Sequence, residues 1–124
     1  DMPHGWVASD FIRATLDLFA YERESDHAIV LAAGIAPGWL DEGGIAVENL
    51  RTPYGLLSYT LRRDGGRVAL RLAITSGLPP GGFVFVWPGD KPPRSASING
   101  RPARFSGAEL HIRALPASVL VEGR

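Results

Sequence analysis

The sequence predicts a mainly β fold, an antiparallel β-sandwich of about eight or nine short strands preceded by one N-terminal α-helix. Three observations carry this expectation. After Asp26, apolar residues fall at every second position in short segments. Turn signals built on Gly or Asn separate those segments, and no helical pattern intervenes. Only between Trp6 and about Glu22 does the apolar spacing become helical.

Each element has its own signal. In the first segment Val7, Ala8, Phe11, Ile12, Leu18 and Phe19 recur at helical spacing. Ser9, Asp10, Arg13 and Asp17 occupy the opposite face, where Arg13 can pair with either acid. Leu16 and Tyr21 widen the apolar surface beyond one stripe. A helix with such a surface seeks neighbours on more than one side, so self-association through residues 6–22 is expected of the isolated chain. Pro3 and Gly5 break the chain before it and leave His4 in a turn at the helix entrance.

The strands follow. His27–Ala33 reads as a buried strand, the stretch GIAPGWLDEGG as turns, and Ile45–Leu50 as a second strand. Leu57, Tyr59 and Leu61 alternate with Ser58, Thr60 and Arg62, and Val68, Leu70, Leu72 and Ile74 form the return strand. Between them, DGG at 64–66 offers the positive-φ residues of a hairpin turn. Phe83–Trp87 is apolar at every position, which requires cover on both faces. Asn99-Gly100 turns a further hairpin between Ser95–Ile98 and Arg101–Phe105. Leu110 with Ile112, and Val119 with Val121, complete the run.

Composition bounds the function. The chain has 124 residues, enough for one domain with its own core. Thirteen basic and thirteen acidic side chains cancel, so no net field draws nucleic acid or an anionic membrane. The absence of cysteine removes disulfides, thiol catalysis and cysteine-ligated zinc. No apolar run approaches the ~20 residues of a membrane span, and no signal segment is recognisable; the compartment stays open. Three dispersed histidines give no metal-binding spacing, and no nucleotide fingerprint points to a cofactor.

The segments PHGWVASDFIR, LAAGIAPGWL, TPYGLLSYTLRRDGGRVALRL, SINGRPARF and LPASVLVE, in this order, resemble the C-terminal part of an α-L-rhamnosidase-type glycoside hydrolase. The T-x-Y-G segment of that family is matched by Thr52, Tyr54 and Gly55. Pro3 stands where its helix-entrance turn usually has Asn. The resemblance implies that residues 1–24 are the last helix of a catalytic α/α barrel and residues 25–124 a C-terminal β-sandwich. It also implies that the rest of the barrel is a missing partner, and that the chain is a non-catalytic fragment supporting it. Carbohydrate would then be bound by the parent enzyme, with both catalytic acids outside this chain.

Candidate site residues are few. Within the resemblance, His4 would reach the sugar site, where an imidazole exchanges hydrogen bonds with hydroxyl groups. Trp6 is a weaker substrate-binding candidate, because a helical Trp also serves as core. Glycoside hydrolysis uses two carboxyl groups ~5–5.5 Å or ~6.5–9.5 Å apart. Asp41 and Glu42 are loop neighbours and the other acids are scattered, so none is assigned a catalytic role. A carbohydrate-binding module is the alternative, and it would need Trp39, Tyr54, Tyr59 or Trp87 exposed on a platform. A stand-alone interaction domain is the third reading. Tyr59 and Trp87 sit on apolar strand faces and read as core; Trp39 and Tyr54 lie in loops beside Gly. His111 and the cluster Arg62, Arg63, Arg67 and Arg71 read as a solvated surface.

Overall fold

The computed structural model describes residues 20–33, 40, 44–89 and 91–123. Within them, ten strands form two sheets. β1 (Ala20–Arg23), β2 (Ala28–Leu31), β6 (Phe83–Val86) and β9 (Glu109–Ile112) make a four-stranded sheet in the order β1-β2-β6-β9. β3 (Ile45–Thr52), β4 (Gly55–Asp64), β5 (Arg67–Ile74), β10 (Ala117–Glu122), β7 (Ser95–Ile98) and β8 (Arg101–Ala103) make a six-stranded sheet in that spatial order. The architecture is therefore β-sandwich-like.

Register explains how the two layers meet. In the smaller sheet, Ile29 aligns with Phe83 and Ile112, and Leu31 with Phe85 and Leu110. In the larger sheet, one row runs through Ile45, Leu61, Leu70, Val119 and Ile98. The flanking row holds Val47, Tyr59, Leu72 and Ala117. All of these residues belong to one apolar cluster, with Ile45 and Ile98 partly buried against its rim, so the rows of the two sheets close on a common core. Alternation puts Ser58, Thr60, Arg62, Arg71 and Ser118 on the outer face of the larger sheet, as period two requires.

Turn chemistry matches the sequence at two hairpins. β4 and β5 are joined by Gly65-Gly66, with Gly65 at φ 64°. β7 and β8 are joined by Asn99-Gly100, with φ of 53° and 83°, the paired positive values of a type I′ turn. β8 is the last strand of the larger sheet. Pro102 stands on this edge strand, where a missing N–H is tolerated.

Three expectations are corrected. The helix read as far as Glu22 does not reach it, because Ala20–Arg23 form β1, in register with Leu31, Val30, Ile29 and Ala28. The reason is tertiary: β2 presents a free edge, and the four-residue segment Ala20–Arg23 next to it in sequence supplies the cover. The rest of the proposed helix and of the self-association surface, residues 6–19, lies outside the described residues. The sheets are also not wholly antiparallel, since β2 and β6 pair in parallel. Between these two strands the chain crosses to the other sheet to build β3–β5, and a crossover returns it in the same direction. Finally, the first strand is shorter than His27–Ala33. His27 (φ 56°) and Ala32 (φ 65°) adopt left-handed conformations and end the ladder on either side.

The parallel junction needs a close backbone approach. Gly81 N–H donates to the His27 carbonyl (3.1 Å), and Ile29 N–H donates to the Gly82 carbonyl (3.0 Å). A Cβ at Gly81 would lie 2.1 Å from the Asp26 carbonyl oxygen, so only glycine fits there. β6 is closed on both sides, as its sequence requires. Phe83 and Phe85 point into the common core, and Val84 joins Ala28 and Val30 in a second buried cluster on the opposite face.

Phe85→Ala should destabilise the fold by about 3–5 kcal/mol, through lost transfer free energy and the cavity left behind. Arg71→Ala, exposed on the outer face of β5, should stay within about 0.5 kcal/mol. Chemical denaturation of both variants measures the contrast, and a reversed ranking would contradict the assigned strand faces.

Candidate functional site

The Thr52-Pro53-Tyr54-Gly55 segment is the sequence motif that the fold puts to most evident use. It turns the chain between β3 and β4. The Thr52 hydroxyl donates to the Gly55 carbonyl (2.7 Å) and accepts from the Tyr54 N–H (3.1 Å), which pins the two-residue loop. Gly55 has φ 130°, and a Cβ on it would lie 2.6 Å from Ser76 Oγ. The loop is therefore held against the segment after β5. In this position the Tyr54 hydroxyl donates to Glu22 Oε2 on β1. Tyr54 leaves the larger sheet and Glu22 the smaller, so this one bond ties the two layers at their rim.

Charged groups cluster around that tie. His27 Nδ1 lies 3.6 Å from Glu22 Oε2. Arg23, the next residue of β1, holds two carboxylates. Its guanidinium donates to both oxygens of Asp26 (3.1 and 2.8 Å) and to Glu109 Oε2 (2.6 Å). Glu109 belongs to β9, the opposite edge of the same sheet, and His111 Nε2 stands 3.8 Å from its other oxygen. Asp26 also accepts from the Ala28 N–H (3.3 Å), closing the β1–β2 turn.

Electrostatics set what this cluster can do. The Arg23 guanidinium lowers the Asp26 pKa from the ordinary 3.8 to about 2, and the same bonds raise that of Arg23. An acid so stabilised in its ionised form is a poor proton donor near neutrality. Asp26 and Glu109 are gathered on one cation rather than placed on either side of an open space for a glycosidic bond. The arrangement is a structural clamp. Among the described residues, no group of three or more His, Cys, Asp or Glu is placed to hold a metal.

The aromatic candidates are mostly spent inside the fold. Tyr59 is 2% exposed, and burial pushes its hydroxyl pKa well above 10.0. Trp87 is 9% exposed, packs edge-on against Phe85 and Phe105, and donates its indole N–H to the Lys91 carbonyl (2.8 Å). Tyr54 is half-buried and bonded to Glu22. His111 is exposed, as its alternation predicts. His4, Trp6, Trp39, Asp41 and Glu42 lie outside the described residues.

Sequence reasoning missed the Arg23–Asp26–Glu109 clamp and the Glu22 partner of Tyr54. Only the Arg23–Asp26 spacing of three residues hinted at a local pair. No family model, curated protein or solved structure matches the chain.

The clamp makes stability depend on acid. Asp26 binds its proton less readily in the folded than in the unfolded chain, so its contribution is complete above 3.8 and is lost as pH falls towards about 2. The stability advantage of the wild type over Asp26→Asn should therefore shrink across that window, as read by thermal melts at stepped pH. A difference independent of pH would show that the carboxylate charge is not what Arg23 holds.

Proposed function

We propose that this chain is a non-catalytic β-sandwich-like domain that gives structural support to the catalytic barrel of an α-L-rhamnosidase-like glycoside hydrolase. The observation that carries the supporting role is where its chemistry-bearing side chains are used. Tyr59 and Trp87 fill the core, Tyr54 ties the sheets, and Arg23 binds Asp26 and Glu109. The same observation disfavours a stacking platform of the kind a carbohydrate-binding module uses. The class of host rests on the sequence resemblance through Thr52, Tyr54 and Gly55 and the segments around them. In that host His4, with Trp6 beside it, would contact sugar, and the segment before β1 would be the junction with the barrel.

Two measurements test the reading. The purified chain should show no turnover of aryl α-L-rhamnoside or related aryl glycosides. Turnover abolished by Glu22→Gln, Asp26→Asn or Glu109→Gln would overturn the non-catalytic assignment. In the host polypeptide, removing residues 20–124 should lower the melting temperature of the catalytic part. A catalytic part equally stable without them would overturn the supporting role.

A further inference from the structure

The outer face of the larger sheet carries a feature that structural support does not use. Thr60 on β4 is in register with Arg71 on β5, and Arg62 is in register with Ala69. Arg62 and Arg71 are thus diagonal neighbours on one face, with Cα atoms about 7–8 Å apart. The side chains between them are small. Together Thr60, Arg62, Arg63, Ala69 and Arg71 line a cavity of about 450 Å³. Among the described residues, neither the Arg62 nor the Arg71 guanidinium group has a hydrogen bond or ion pair. The two positive charges therefore share one exposed patch of the sheet, where an anion could meet both.

This cavity continues into a longer groove. Thr60 and Arg71 also border a cavity of about 770 Å³ whose lining includes Ser58, Ser118, Asn49 and Glu48. From Ser58 to Arg62 the groove follows β4 for about 13 Å, the rise of four strand residues. One end is cationic. The other offers hydroxyls, an amide and the Glu48 carboxylate, groups that pair with neutral hydroxyl groups. No Trp or Tyr ring is exposed along its floor, since Tyr59 is buried beneath it.

We infer that this groove binds an acidic oligosaccharide, with a uronate carboxylate held between the Arg62 and Arg71 guanidinium groups and neutral sugar hydroxyls running towards Ser58, Ser118 and Glu48. The planar guanidinium fork matches a carboxylate, and two forks converging on one anion give it orientation as well as charge. A nucleic acid or other polyanion would meet Glu48 along its length, so one acidic group followed by a neutral stretch fits the groove better. Recognition is by hydrogen bonding and charge rather than by stacking. The inference depends on this surface alone and not on the class of host.

The test uses the whole chain and two disaccharides, glucuronic acid–galactose and galactose–galactose, titrated in low salt by calorimetry. The acidic disaccharide should bind about tenfold more tightly or better, the size expected of one additional charge-assisted contact. Arg62→Gln and Arg71→Gln should each weaken it by about tenfold with an unchanged melting temperature. Arg104→Gln, on an exposed loop residue outside the groove, should leave it unchanged. Equal affinity for the two disaccharides, binding of neither, or an equal loss in Arg104→Gln would overturn the inference. Displacement by inorganic sulfate at equal concentration would reduce the groove to a general anion site and overturn the assignment to a sugar acid.

Discussion

Strand β6 is the constraint around which the molecule is organised. Four consecutive apolar residues, Phe83–Val86, cannot present a wet face, so the strand has to lie between layers. It also has to be central in its sheet, because buried N–H and C=O groups need partners on both sides. β2 supplies one side and β9 the other. Inward, Phe83 and Phe85 align with Ile29, Leu31, Leu110 and Ile112, and this surface is what the larger sheet packs upon. The parallel pairing with β2 follows from the same requirement. The chain leaves β2 to build three strands of the opposite layer, and it must come back beside β2 to fill the vacant edge.

Much of this was legible where local and tertiary demands agree. Leu57, Tyr59 and Leu61 alternate against Val68, Leu70 and Leu72, and Gly65, the first of the two glycines between the strands, takes a left-handed φ. Asn99-Gly100 is equally explicit. β1 was not legible, because Leu18, Phe19 and Tyr21 continue a helical spacing and the turn after β1 contains no glycine. Its left-handed position is taken by His27 instead. The parallel pair was not legible either, since it depends on the path of a crossover and not on any residue pattern. At the rim, Thr52, Tyr54 and Gly55 stood out as a motif, but Glu22 lies 32 residues before Tyr54 and Glu109 lies 86 after Arg23. Contacts at such separations leave no local trace.

The two outer surfaces answer to different physics. On the smaller sheet, Arg23 is drawn across to Glu109 and down to Asp26, so its charge is satisfied and the two edge strands are joined. On the larger sheet, Arg62 and Arg71 stand beside small residues with no acid of the described chain bonded to them. One surface therefore holds the fold together, and the other is open to an external anion. Because Tyr59 and Trp87 are committed to the interior, any recognition on the open surface has to use guanidinium and hydroxyl groups.

Native-state hydrogen exchange of backbone amides is the most direct test of the organising role of β6. If both its faces and both its edges are closed, the Val84 and Phe85 amides should exchange only through global unfolding and rank among the slowest in the chain. The edge strand Arg101–Ala103 should open locally and exchange much faster. β6 amides that exchange through a low-energy opening while the β4–β5 hairpin stays protected would contradict the account, because the smaller sheet would then be a separable layer and not the support on which the larger one is packed.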